Sequence, residues 1–381
     1  MKLFLLRLMT LSVFLALLAG CAGAAANQTP TAPATAPAAA QETVPAVAPT
    51  TAPTAAQEPV TLNVMTHDSF TASEAIIRQF EQDNQIKLNF IKSGDTGAAL
   101  NRAILSKGAP LADVFYGVDN TFLSRALEED IYEAYDSPQL SNIPEALKLD
   151  ASNRALPVDY GDVCLNYDKA YFAEKKLAVP QTLEDLTKPE YKGLLVVENP
   201  ATSSPGLTFL LATIAHFGED GYLQYWQDLR ANEVVVVDGW ETAYYTNFSG
   251  SSGRGPQPLV VSYNSSPVAE VVFAQTPPAE APTGSITAPG TCFRQVEFVG
   301  ILKGSGQRAA AEKFVDFMLS QPFQEDMPLQ MFVYPANQNA KLPEPFQKFS
   351  QLPEKPAALD PALIAKNRDA WIQDWTQAVL R

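Results

Sequence analysis

"VTLNVMTHDSFTASEAIIRQFEQDNQIKLNFIKSGDTGAALNRAILSKGAPLADVFYG", residues 60–117, decides the fold. Its opening, "VTLNVMT" (60–66), alternates as a strand, and "SEAIIRQFEQDN" (73–84) then carries apolar residues at helical spacing. "IKLNFI" (86–91) reads as a second strand, "GAALNRAILSKG" (97–108) as a helix ending on Gly108, and "ADVFYG" (112–117) as a third strand. Strand and helix alternating at this spacing predict parallel βαβ units. Ligands of such sheets bind beyond the strand C-terminal ends, where loops lead into helices. "THDSF", "SGDTG" and "YGVDN" are therefore the loops to watch.

A second set of the same kind follows. "VCLNYD" (163–168), "GLLVVE" (193–198), "NEVVVVD" (232–238) and "PLVVSY" (258–263) read as strands, with helices after Pro205 and in "SSPVAEVVFA". Its loops are "NPATSSPG", "DGWETAYY" and "SYNSSPV". Later, "CFRQVEFVGIL" (292–302) reads as a strand, and "QRAAAEKFVDFMLS" and "DPALIAKNRDAWIQDWTQAVL" as amphipathic helices. The Pro-rich "TPPAEAP" with "TGSITAP" reads as a connection. Two α/β groups, with a late strand able to return to the first, predict two lobes joined by crossing strands and a cleft between them.

Ahead of this body, "MKLFLLRLMTLSVFLALLAGC" has two basic residues, a short apolar core and a small-residue ending at Cys21. That is an export signal rather than a membrane span. Its ending resembles the lipobox of bacterial lipoproteins, which implies cleavage before Cys21 and a lipid thioether on its sulfur. Residues 22–58, rich in Ala, Pro, Thr and Gln, hold too little bulky apolar surface to fold and read as a disordered tether. The formal charge of −15 argues against nucleic acid as a partner.

No HExxH, CxxC, Walker loop or GxGxxG is present. Of the two histidines, His67 and His216, the second falls on an apolar helix face and reads as packed core. Ser203, Ser204, Ser265 and Ser266 lack a G-x-S-x-G elbow and a neighbouring histidine, which disfavours hydrolysis. Asp95 and Asp159 could do acid/base work, but acidic loop residues more often cap helices or face water. Ser203 and Ser204 with Pro205 make an ordinary helix start, whose free amides also suit an anionic or polar ligand group. Trp240 stands at a strand-to-helix turn with Tyr244 and Tyr245 after it, and Tyr263 ends a strand before Asn264, Ser265, Ser266 and Pro267. Aromatics at strand ends beside carboxylates suit a flat cationic heteroaromatic, or else are core anchors.

In order, "THDSF", "GDTGAALNR", "ADVFYGVDN", "PVDYG", "NPATSSPGLTFLL", "DGWETAYY", "VVSYNSSPV", "EKFVDFMLSQPFQEDMP", "VYPAN" and "RDAWIQDWTQAVLR" together resemble the thiamine-binding proteins of bacterial ABC importers. The resemblance implies an α/β, two-lobed periplasmic-binding-protein fold of type II, each lobe a mixed, mostly parallel sheet flanked by helices. On that reading residues 1–20 are the signal peptide, 21–58 the lipidated cysteine and tether, 59–158 the first part of lobe 1, 159–283 lobe 2, and 284–381 the return to lobe 1. The function implied is non-enzymatic: a monomeric, membrane-tethered protein, facing the periplasm or cell exterior, binds thiamine or thiamine phosphates and delivers them to an ABC permease. It needs no cofactor or resident metal.

The resemblance further implies that Asp95 and Thr96 meet the ligand, as do Ser203 and Ser204. Trp240 stacks on it, and Tyr263, Asn264, Ser265, Ser266 and Pro267 line the opposite wall, with Asp159 nearby. His67 and Phe332 depart from the family, which tends to carry tyrosine and tryptophan there. Both changes weaken the aromatic enclosure and leave free thiamine, a phosphate ester or a related pyrimidine open. Ferric iron, held by tyrosines such as Tyr244 and Tyr245, is an alternative solute, and a cell-surface hydrolase an alternative of another class. Cys164 and Cys292 fall where the chain should cross between lobes, so they either form a disulfide or pack as small apolar residues.

Overall fold

The computed structural model describes residues 59–381; the signal segment, Cys21 and the tether lie outside the described residues. β1 (Val60–Thr66), α1 (Glu74–Asn84), β2 (Ile86–Lys92), α2 (Thr96–Leu105) and β3 (Val114–Asp119) form the first group, with β1 parallel to both β2 and β3. Ser73 caps α1, its Oγ accepting from the Ile76 N–H, and the buried face of the helix sets Phe80 against Phe314 and Phe317. α2 stops short of Gly108, and at its end the Ser106 hydroxyl donates to the Arg102 and Ala103 carbonyls.

α3 (Leu123–Glu128) and β4 (Tyr132–Glu133) lead into β5 (Leu156–Asp168), a strand of 13 residues and the first crossing strand. The second group follows with α4 (Lys169–Lys175), β6 (Leu195–Glu198), α5 (Ser204–Ala231), β7 (Val235–Val237), β8 (Leu259–Tyr263), α6 (Ser266–Val272) and β9 (Thr283–Ile286). β6 runs parallel to β7 and β8. β10 (Phe293–Leu302) crosses back, antiparallel to β5 on one side and β3 on the other. α7 (Arg308–Leu319), α8 (Gln321–Gln330), β11 (Tyr334–Pro335), α9 (Glu344–Phe349) and α10 (Pro361–Val379) complete the chain. The sheet order is β2-β1-β3-β10-β5-β8-β6-β7, so two parallel groups are joined through two antiparallel crossing strands.

The first half of α5 is buried almost throughout. Its second half follows a break at Gly218, whose φ of 74° suits glycine, and sets Trp226 edge-on to Trp375 of α10. Cys164 of β5 and Cys292, just before β10, are joined by a disulfide with their Cα atoms 4.4 Å apart.

Two expectations need correction. The segment read as a connection contains β9, which pairs with β5 from Leu165↔Ile286 to Asp168↔Thr283. Prolines flank it rather than interrupt it, so every N–H the ladder needs is present. His216 is not packed core: its ring is exposed at the turn before Gly218, and Nε2 lies 2.7 Å from Glu184 Oε1.

Candidate functional site

A cavity of ≈180 Å³ opens where the strand ends of both groups meet. His67 follows β1, Asp95 and Thr96 follow β2, Ser204 follows β6, Trp240 follows β7, Tyr263 ends β8, and all six line it. This is the placement that parallel strands leading into helices impose.

Trp240 is half-buried and fixed from three directions. Its backbone N–H donates to Asp95 Oδ2 (3.0 Å), its indole Nε1 donates to Ser262 Oγ (2.8 Å), and Tyr244 stacks on its ring at 5.0 Å and 17°. Tyr245 and Tyr263 stand edge-on to it, at 5.4 and 6.3 Å. The indole is thus both packed and part of the wall. A π-rich wall of this kind attracts a cation and stacks on a flat ring.

Asp95 ties the starts of two helices to that wall. Oδ1 accepts from the N–H groups of Thr96 (2.6 Å) and Ser204 (3.4 Å), so one carboxylate meets the positive ends of α2 and α5. Burial pushes its pKa up, and the N–H bonds from Trp240 and Thr96 oppose that. Gly97 and Ala98 donate to the Thr202 carbonyl at 3.0 and 3.3 Å. Gly97 has to be glycine for this approach, because a Cβ there would lie 2.7 Å from the Ala201 carbonyl oxygen. The Ser204 hydroxyl donates to Asp119 Oδ2, and the Thr96 hydroxyl to the Gly117 carbonyl (2.9 Å).

The floor is acidic. Glu297 of β10 faces Asp159 of β5 across the antiparallel register. The Tyr116 hydroxyl donates to Asp159 Oδ2 (2.6 Å) and lies 3.1 Å from Glu297 Oε2. Burial, and then the neighbouring Asp159 charge, push Glu297 well above the usual carboxylate range; burial pushes Asp159 up to about 7. His67 Nε2 lies 3.6 Å from Glu297 Oε1, but burial pushes this imidazole down to about 4. The ring is therefore neutral at ordinary pH, and the contact is not an ion pair. His67 packs on Gly117, whose φ of 115° and lack of a Cβ leave room for the ring.

Of the residues singled out from the sequence, Ser266 and Phe332 also line the cavity. The others stand behind it. Ser203 caps α5, its Oγ accepting from Gly206 N–H at 3.5 Å. Asn264 Nδ2 donates to the Tyr334 hydroxyl and the Gln351 carbonyl, and its Oδ1 accepts from Asp162 N–H. Ser265 donates to the Phe332 carbonyl (2.5 Å), Pro267 faces a separate surface hollow beside Asn264, and Asp159 lies under Glu297. The wall also includes Ser69, Thr71, Glu241, Phe273, Met331 and, above all, Glu297. The sequence held one signal for Glu297, a lone acid inside the apolar strand "CFRQVEFVGIL". Tyr244 and Tyr245 line the cavity too, but Tyr244 is buried and its hydroxyl donates to Glu270 Oε1 (2.9 Å). Among the described residues, no three His, Cys, Asp or Glu side chains converge as a metal site.

Two parallel groups bridged by two crossing strands, with a cavity built from the strand ends of both, define a periplasmic-binding-protein fold of type II. The description of bacterial extracellular solute-binding proteins matches residues 109–353. A thiamine-binding periplasmic protein of Salmonella typhimurium is 32% identical over 325 residues, covering 84% of this chain and 94% of that one. A solved periplasmic thiamin binding protein superposes with a TM-score of 0.74 at 28% identity, covering 84% of this chain and 96% of its own. Iron uptake protein A1 of Synechocystis sp. is 24% identical over 338 residues, covering 82% of this chain and 88% of that one. The chain belongs to the bacterial extracellular solute-binding proteins, the non-enzymatic components that bring a small solute to an ABC permease from outside the cytoplasm.

Proposed function

We propose that the solute is thiamine or a thiamine phosphate, held between a lobe formed by residues 59–158 with 284–381 and a lobe formed by 159–283. The observation that carries this reading is Trp240 stacked on Tyr244, walled by Tyr245 and Tyr263 and set among Asp95, Glu241 and Glu297. Such a wall suits a flat, singly charged heteroaromatic cation: the rings stack and the acids offset its charge or accept an amine. Relatives named as thiamine-binding support the same reading. The lobes would close over the ring because it touches both. Signal cleavage and a lipid on Cys21 would hold the protein in the periplasm or at the cell exterior, since no described helix is long and apolar enough to cross a membrane.

The ferric reading is weaker. Tyr244 is buried beneath Trp240 and bonded to Glu270, a packing role rather than an open ligand position. Calorimetric titration of the mature protein with thiamine, thiamine monophosphate and thiamine diphosphate tests the proposal, and saturable one-to-one binding of at least one of them is expected. Binding of none of the three, or a coloured complex with Fe(III) in their place, would overturn it.

A further inference from the structure

Resting on the thiamine reading, we infer that Phe273 is a recognition residue of this cavity: its ring closes the end away from Trp240 and lies against a ring of the bound solute. Among the described residues only two aromatic side chains are exposed, Tyr245 and Phe273, and both line this one cavity. Tyr245 belongs to the Trp240 wall, edge-on to the indole at 5.4 Å. Phe273 belongs to a second aromatic pair. It meets Phe332 edge-on, at 5.3 Å and 72°, and is otherwise left in water, 66% exposed.

The helix α6 sets the spacing of the two pairs. Ser266, Ala269 and Phe273 follow one another at i, i+3 and i+7, so they share one helical face, and all three line the cavity. Ser266 begins that face at the Trp240 end, its Oγ 2.8 Å from Ser262 Oγ, the atom to which the indole Nε1 donates. Phe273 ends it seven residues later, about 10 Å of helix further on. Ala269 between them is small, so the space from one aromatic group to the other stays open. Phe273 is held at its end of the slot by its N–H, which donates to the Ala269 carbonyl at 2.9 Å. Phe332 behind it is pinned in turn, with a left-handed φ of 56° and a carbonyl that accepts from the Ser265 hydroxyl. A bulky residue keeps such a backbone only where its surroundings impose it. The exposed ring is thus a fixed apolar surface that a flat solute ring removes from water, and a bare cation gains little from it.

The test is calorimetric titration of the mature protein and of the variants Phe273→Ala and Phe273→Tyr with thiamine, thiamine monophosphate and thiamine diphosphate, together with melting curves of the ligand-free proteins. For whichever of the three the wild type binds most tightly, the alanine variant should bind about tenfold more weakly and the tyrosine variant within about threefold of the wild type, the scale of one aromatic contact. Because the ring is mostly in water, the ligand-free alanine variant should melt with the wild type. Wild-type affinity in the alanine variant, a tyrosine variant as weak as the alanine one, or an alanine variant that melts well below the wild type would overturn this inference and leave the proposed function standing. Wild-type protein that binds none of the three would overturn both.

Discussion

Trp240 does two things that pull mutational tests in different directions. It lines the cavity, and it packs with Tyr244, Phe248 and Val260 in a small core of its own. A graded series separates the two. Trp240→Phe keeps a ring against Tyr244 but loses the indole donor to Ser262 and the stronger π face; Trp240→Ala loses both. Thiamine affinity should fall in the order Trp, Phe, Ala, with the alanine variant weaker by about 2 kcal/mol, roughly thirtyfold. Titrations on variants shown by circular dichroism to be folded would read this; wild-type affinity in the alanine variant would remove Trp240 from the wall. The tryptophan was legible in the sequence because an aromatic directly after a parallel strand is already at the mouth of a site. Glu297 was not, because it lies in mid-strand and its meaning depends on which residue faces it.

That facing residue is set by β5 and β10. Their register puts Asp159 opposite Glu297 with Tyr116 alongside, three groups brought together from distant parts of the chain that no local spacing reveals. The 13-residue length of β5 was hidden for a related reason. Asp159 and Asp162 break the apolar pattern over its first half, yet both are buried, one in this cluster and the other against Arg294. The parallel strands β1, β2, β6 and β8 were legible, each a run of apolar or alternating residues closed by turn residues.

The cluster predicts a pH dependence. Asp159 rises from its ordinary 3.8 to about 7 and Asp119 to about 6, both by burial. An acid whose pKa is raised by folding stabilises the fold fully below its unfolded pKa, and that contribution is lost as pH climbs through the folded value. His67, lowered from 6.5 to about 4, works the other way, its contribution present above 6.5 and lost as pH falls through 4. Asp159→Asn keeps an acceptor for Tyr116 without a titrating group. Its denaturation midpoint should fall less steeply than that of the wild type between the ordinary 3.8 of the acid and about 7. Superimposable pH profiles would show that Asp159 is not a titrating part of the fold.

Across the whole molecule, the division into two groups with a returning strand followed from the order of apolar runs alone. What remained hidden was tertiary bonding: the Asp95 bridge between two helix starts, and the strand β9 inside a stretch that composition marks as a connection. The Cys164–Cys292 bond spans 128 positions and joins β5 to the beginning of β10. Loop entropy alone makes a closure of that length worth about 4–5 kcal/mol against the unfolded chain. It also decides what happens when the backbone is cut. The exposed proline-containing segment 274–280, which leads from α6 to β9, lies inside the covalent ring. A protease that nicks it outside the cell creates two new termini but no free fragment, and the sheet on either side keeps its partners. On a denaturing gel the nicked protein should run as one chain until a reductant is added, then as two. Two bands without reductant would mean that the ring is open. For a protein that works where proteases are not excluded, the ring turns a severing event into a scratch.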